Sequence, residues 1–206
     1  MDPTMDDLPQ RLQAVLRRQR RQLQMRDGFR PAAVLVPFVR YPEGWHLLLV
    51  RRSPALPAHG GQVAFPGGAV EPQDGDAIAT ALREAEEEIG LAAEDVHVWG
   101  IFDDFGPTSS RFIVTPVLAQ IPAEYPFRIN PYEIESYRTV PFAFFLETEH
   151  LIVEHRDTPG LPATTYTWHY ESYTIWGLTA RIIKALLDAI YTTPASPPSP
   201  GITFFR

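Results

Sequence analysis

The residues with the clearest chemical potential are the acids of the run Arg83-Glu84-Ala85-Glu86-Glu87-Glu88. Positions three and four apart on an α-helix share a face, so Glu84, Glu87 and Glu88 converge while Glu86 points elsewhere. Carboxylates gathered on one face repel one another, and a bound divalent cation is the usual physical reason for keeping such a cluster. A solvated acidic helix face is the plainer alternative, and the run alone does not exclude it. Arg83, four residues before Glu87, offsets part of the repulsion. Just upstream, Phe65-Pro66-Gly67-Gly68 sets a glycine turn between an expected strand and this helix. Glycine there lets backbone approach a ligand or metal, and the carbonyl of Gly68 is a candidate further oxygen ligand.

These residues need elements to hold them. From Asp76 to Ile89 the pattern is helical, with Ile78, Ala81, Leu82, Ala85 and Ile89 as the inward stripe and Gly90 at the stop position. Two apolar runs, AAVLVPFV and WHLLLV, flank the turn-forming Tyr41-Pro42-Glu43-Gly44 and read as adjacent strands buried on both faces. VHVWGIF, FIVTPVLAQI, YRTVPF and TYTWHY read as further strands, and Trp176 to Tyr191 as a closing helix. Leu8 to Arg26 reads as a basic amphipathic helix docked on the core through Leu8, Leu12, Val15, Leu16 and Leu23 and ended by Gly28 and Pro31. Its arginine face is expected to be solvated, with contact to an anion as the alternative. The expected organisation is an N-terminal basic helix over residues 1–28, a mixed α/β domain over 29–191, and a flexible Pro/Ser-rich tail over 192–206.

Composition narrows the chemistry. With 206 residues, 45% hydrophobic and 12% aromatic, the chain suits one substantial domain with extensions. It has no cysteine, so any metal site must use oxygen or imidazole ligands, which favours a hard cation. A net charge of −7 argues against general nucleic-acid binding, which draws on clustered Lys and Arg. No apolar run reaches membrane-spanning length, and Asp2, Asp6 and Asp7 stand where a secretory signal would be basic and then apolar. A soluble, cytoplasmic protein acting on a small anionic substrate is the expectation, with no nucleic acid and no membrane as partner; a homodimer is compatible with it.

Arg83, Glu84, Ala85, Glu87, Glu88, Gly90 and Leu91 fall in register with the second half of G-x5-E-x7-R-E-U-x-E-E-x-G-U, with Ala85 at an aliphatic position. The segment thus resembles the signature of the Nudix hydrolases. The first half departs from it: Asp74 stands at the first Glu counted from Gly68, and one extra residue separates it from Arg83, so either Asp74 or Glu71 supports that arginine. The resemblance implies an α/β/α sandwich with a mixed central sheet. It also implies hydrolysis of a nucleoside diphosphate derivative with Mg²⁺ or Mn²⁺ held by Glu84, Glu87, Glu88 and Gly68, and Arg83 in the catalytic set.

A second stretch, LLLVRRSPALPAHGGQVAFPGG, is similar to L-L-T-x-R-S/A-x3-R-x3-G-x3-F-P-G-G of the coenzyme A pyrophosphatase branch, through Leu48, Leu49, Arg52, Ser53, Gly61, Phe65, Pro66, Gly67 and Gly68. Val50 replaces the threonine and Pro57 the second arginine, which removes one bidentate phosphate donor. WGLTARII, Trp176 to Ile183, resembles the closing helix of that branch, although core packing alone accounts for it. These matches run from about Ala32 to Leu187. They imply cleavage of coenzyme A or its thioesters to 4′-phosphopantetheine and adenosine 3′,5′-bisphosphate. The alternatives are a Nudix hydrolase of ADP-ribose, dinucleotides or nucleoside triphosphates, and a Nudix-like binding module without hydrolysis. Arg52, His59, Gly61 and Arg111 are the candidate substrate contacts, with Phe112 to stack a base; a surface loop histidine is the plainer reading of His59, and a polar loop entering a strand accounts equally for Arg111 and Phe112. Glu133 is the candidate catalytic base, by resemblance to the branch's E-V…V-P-L pattern; an exposed loop carboxylate is the alternative. Asp103 and Asp104 either reach the site or shape a turn.

Overall fold

A computed structural model of the chain describes residues 6–18, 28–106, 111–155 and 164–191. In chain order these form α1 (Leu8–Arg18), β1 (Arg30–Tyr41), β2 (Gly44–Arg52), β3 (Val63–Ala64), β4 (Gly67–Ala69) and α2 (Ala77–Ile89). Then come β5 (His97–Ile101), β6 (Phe112–Ile121), β7 (Ile134–Pro141), β8 (Leu151–His155), β9 (Thr164–Tyr170), β10 (Tyr173–Ile175) and α3 (Gly177–Tyr191). The seven-stranded sheet has the order β3-β2-β1-β6-β5, with β4 also on β1 and β7 also on β2. It is mixed because β1 runs parallel to β6 and antiparallel to β2 and β4.

The apolar runs become central strands because both faces of this sheet are covered. Along β1, Ala33, Leu35 and Val39 join Leu48 and Val50 of β2 in a core closed by Ala81, Ala85 and Ile89 of α2. Alternate residues Val36, Phe38, Leu47 and Leu49 meet α1 and α3 on the other face, through Leu8, Leu12, Ile182, Ile183 and Leu186. Side chains at successive strand positions point to opposite faces, so one pair of strands feeds both cores. The result is the expected α/β/α sandwich. A second sheet, β10-β9-β8, packs on the α1 and α3 side through Trp168, Tyr173 and Ile175.

The expected helix over Asp76–Ile89 is α2, and the two hairpin strands pair with Phe38 opposite Leu47. Leu8 and Leu12 dock α1 as anticipated; the continuation to Arg26 and the tail from 192 lie outside the described residues. Strands β3, β4, β8 and β10 were not anticipated. Among the described residues no helix is long and apolar enough to cross a membrane.

Candidate active site

The roll of α2 about its axis decides which acids meet the sheet. The Asp76 side chain caps the first turn, accepting from the Ala79 N–H at 2.8 Å, and Gly90 ends the helix in the left-handed region at φ 69°. Between these stops Ala81, Ala85 and Ile89 are fully buried, which fixes the rotation. Glu84 and Glu88 are turned towards β4 and the end of β2, whereas Glu87 keeps 53% of its side chain exposed. β4 approaches so closely that a Cβ on Gly68 would lie 2.4 Å from the Glu84 carboxylate and would displace it.

Arg83 ties the helix to the strand before it. Its Nε donates to Asp74 Oδ1 at 3.0 Å and its Nη2 to Asp74 Oδ2 at 3.1 Å, a two-pronged pair with Asp74 only 3% exposed. Asp74, not Glu71, is therefore the supporting acid. Nη2 also donates to the Ala69 carbonyl at 3.0 Å, and Nη1 lies 2.9 Å from Glu84 Oε1 and 3.1 Å from Glu87 Oε2. The hydrogen bonds from Arg83, helped by the Glu71 N–H, hold the Asp74 carboxyl well below the usual carboxylate range. Asp74 in turn raises the Arg83 guanidinium above its ordinary value.

Glu88 is the most enclosed of the acids, at 1% exposed. Arg52 Nη1 donates to its Oε1 at 3.1 Å and the Gly67 N–H to its Oε2 at 3.2 Å. Burial pushes the Glu88 carboxyl up to about 8; Glu84 and Glu133 push the same way, while Arg52 and the Gly67 N–H oppose them. Burial likewise raises Glu84, with Glu87 and Glu133 adding to it against the pull of Arg83. Glu133 therefore sits within electrostatic reach of two helix acids despite its distance in sequence. The segment before it is stitched to the end of α2: the Arg128 N–H donates to the Ile89 carbonyl and the Asn130 N–H to the Glu88 carbonyl, both at 2.9 Å. Asn130 Nδ2 then donates to Glu133 Oε1 at 3.0 Å, and the Ser53 N–H to the Glu133 carbonyl at 2.7 Å.

Beside this cluster opens a cleft of about 430 Å³ whose lining includes Arg52, His59, Gly67 and Gly68 and a largely apolar wall of Val34, Phe65, Phe112, Val114, Leu178 and Ile182. Arg52 lines it as anticipated, but with its guanidinium engaged by Glu88. His59 lines it too, with Nδ1 3.0 Å from Gln62 Oε1. Two expected contacts fall elsewhere. Arg111 is exposed and outside the lining, because strand alternation turns Phe112 inward in its place; the Thr108–Ser110 stretch before it lies outside the described residues. Gly61 lines a separate, smaller cleft. Asp104 is buried and accepts from Thr115 Oγ1 at 2.8 Å, beside the bridge from Phe105 to Val114, which fits a turn-shaping part. Trp176, half exposed in the wall of the cleft, had been assigned to packing only.

The donor set fits a hard divalent cation. Its members are carboxylate oxygens that raise one another's proton affinity, next to a strand bare of side chains at Gly67 and Gly68. They are not drawn into a tight knot, since Arg52 and the Gly67 N–H engage Glu88 while Arg83 engages Glu87. The group of ligand atoms that does lie within 4.8 Å of one another, among the described residues, is Glu147, Glu149 and His150 on an exposed turn. There His150 is already paired with Glu147 at 2.8 Å.

The chain is similar to NudL, an uncharacterized Nudix hydrolase, of Yersinia pestis (strain Pestoides F) and of Yersinia pseudotuberculosis serotype O:1b (strain IP 31758). Each is 43% identical over 163 residues, spanning 78% of this chain and 80% of the relative. Among solved structures, a C. elegans Ap4A hydrolase in a binary complex matches with a TM-score of 0.46 and 19% identity over 55% of this chain and 81% of that one. Residues 29–158, which hold the carboxylate helix, β4 and Glu133, match the NUDIX domain family, and the chain belongs to the Nudix hydrolases.

Proposed function

We propose that the chain hydrolyses the diphosphate of coenzyme A or its thioesters to 4′-phosphopantetheine and adenosine 3′,5′-bisphosphate, with Mg²⁺ or Mn²⁺ held by Glu84, Glu87, Glu88 and the Gly68 carbonyl. When bound, such a cation neutralises the diphosphate and lowers the pKa of the attacking water. Arg83 is a positioning residue: its bonds to Asp74, Ala69 and the two helix acids hold the carboxylates against β4. Glu133, oriented by Asn130, is the base that takes the proton of the water. Arg52 and His59 put cationic or donor groups at the side of the cleft where the diphosphate enters.

The observation that carries the substrate is the apolar wall running directly from Gly67 and Gly68. An uncharged, flexible pantetheine arm gains from burial against Val34, Phe65, Val114, Leu178 and Ile182, whereas a second charged nucleotide arm would lose hydration there. A panel of coenzyme A, its thioesters, ADP-ribose, dinucleotides and nucleoside triphosphates, assayed with Mg²⁺ and Mn²⁺ and resolved by chromatography, tests this. No cleavage of coenzyme A beside efficient cleavage of another diphosphate overturns the reading. Glu87→Gln should lower both metal affinity and turnover by roughly a hundredfold. Unchanged values would remove the helix face from the mechanism.

A further inference from the structure

β2 ends in two consecutive arginines, and strand alternation sends them to opposite faces. Arg52 goes to Glu88 and the first cleft. Arg51 goes to the second sheet, where its Nη2 donates to the Ser172 carbonyl and, at 3.2 Å, to the Ser172 hydroxyl, with the guanidinium 4.7 Å over the Tyr173 ring. Its Nε is buried and has no hydrogen-bond partner among the described residues. A donor left in that state costs about 1–3 kcal/mol and calls for an explanation.

Around this arginine lies a second cleft of about 400 Å³, walled by Arg51, Gly60, Gly61, Ser172, Thr174 and Trp176. The lining brings together a guanidinium, two hydroxyls and glycine backbone, and it contains no carboxylate among the described residues. The neighbouring acid in sequence, Glu171, lies 3.6 Å from Arg138. Trp176, Gln62 and Val63 also line the first cleft, so the two share a wall. Trp176 is 49% exposed, which leaves part of its indole open to a flat, uncharged ring.

We propose that this second cleft is a phosphomonoester subsite. It takes the 3′-phosphate of a nucleoside whose 5′-diphosphate lies at Gly67, Gly68 and Arg52, with the base against Trp176. A ribose phosphorylated at both positions carries two anionic groups a sugar's width apart. The two clefts share the wall of Gln62, Val63 and Trp176, so a ligand lying across that wall has Arg52 on one side and Arg51 on the other. The inference rests on the coenzyme A reading and adds to it the residue that distinguishes coenzyme A from its 3′-dephospho form.

The full chain with Mg²⁺, titrated calorimetrically with adenosine 3′,5′-bisphosphate and with adenosine 5′-monophosphate, tests the subsite without turnover. The bisphosphate should bind tenfold or more tightly, as expected for a charge-assisted contact. Arg51→Gln should close that gap, and Arg51→Lys, which keeps the charge, should restore part of it. Thr174→Val changes an exposed hydroxyl whose partner among the described residues is His169, so folding is not at stake, and it should narrow the gap a few-fold. Equal binding of the two nucleotides by the wild type, or a gap unchanged in Arg51→Gln and Thr174→Val, overturns the proposal. In turnover, Arg51→Gln should reduce the KM preference for coenzyme A over 3′-dephospho-coenzyme A by a similar factor. If the wild type cleaves neither compound but the calorimetric gap behaves as stated, the coenzyme A reading falls and the subsite stands.

Discussion

Arg83 distributes its donors over Asp74, the Ala69 carbonyl and two helix acids, so one side chain fixes α2, β4 and the acidic face in mutual register. Asp74 is the partner whose loss leaves most undone, because both its oxygens are engaged by Arg83 inside the protein. Asp74→Asn should destabilise the chain by about 1–3 kcal/mol, the scale of a lost hydrogen bond between charged groups. The pH dependence follows from the sign of the shift. The folded carboxyl is depressed, so its contribution is complete above the unfolded value of 3.8 and is lost as pH falls below it. Chemical denaturation from neutral pH down to about pH 3 should show the wild-type advantage over Asp74→Asn shrinking with acid. An advantage independent of pH would mean that Asp74 acts through packing alone. The spacing of residues named Asp74 and Glu71 as rivals for Arg83; it could not choose, because the choice depends on a turn in which the Glu71 N–H itself bonds to Asp74. The pairing of Arg52 with Glu88 was hidden for a different reason, since strand and helix meet there only through the tertiary fold.

At the scale of elements, β4 does its work by lacking side chains. A Cβ on Gly67 would meet the Ala33 carbonyl oxygen at 2.4 Å and the Val34 Cα at 2.7 Å, both backbone atoms of the central strand. The nearest atoms to a Cβ on Gly68 are instead those at the end of the Glu84 side chain, which can swing away. The neighbouring substitutions should therefore separate. Gly67→Ala should cost about 1–3 kcal/mol of stability, as overpacking does. Gly68→Ala should leave thermal stability nearly unchanged while displacing Glu84 and cutting activity by tenfold or more, the scale of a disturbed ligand shell. Thermal melts beside turnover assays decide it, and equal stability losses in both would contradict the geometry. The long, periodic elements were legible: α2 with its stop at Gly90, the paired strands β1 and β2, β6, and the closing helix α3. The short strands were not, because β3, β4 and β10 have only two or three residues and owe their extension to neighbours. Of the second sheet only β9 was legible, as TYTWHY, so neither its pairing nor the cleft at Arg51 had a signal in the sequence.

The whole molecule sets the terms on which the acidic face exists. The sheet separates two cores, and α2 covers one of them so tightly that Glu84 and Glu88 are carried into the interior together. Both carboxyls are raised by burial, Glu88 to about 8, whereas in the unfolded chain they titrate near 4.5. Between those values the folded chain holds a proton that the unfolded chain has released, so folding is opposed as pH rises through that window. The Asp74 contribution is already complete there and adds no slope. A cation bound to these ligands requires them deprotonated and releases the protons, which makes its affinity increase with pH. Metal-stripped protein should thus lose stability from about pH 5 to pH 8, and saturating Mg²⁺ or Mn²⁺ should raise Tm by several degrees at pH 8 and by much less at pH 5. Scanning calorimetry at the two pH values, with and without cation, measures this. A cation-induced rise of the same size at both would show that the metal does not bind through the raised carboxyls, and no rise at either would remove the helix face as its site.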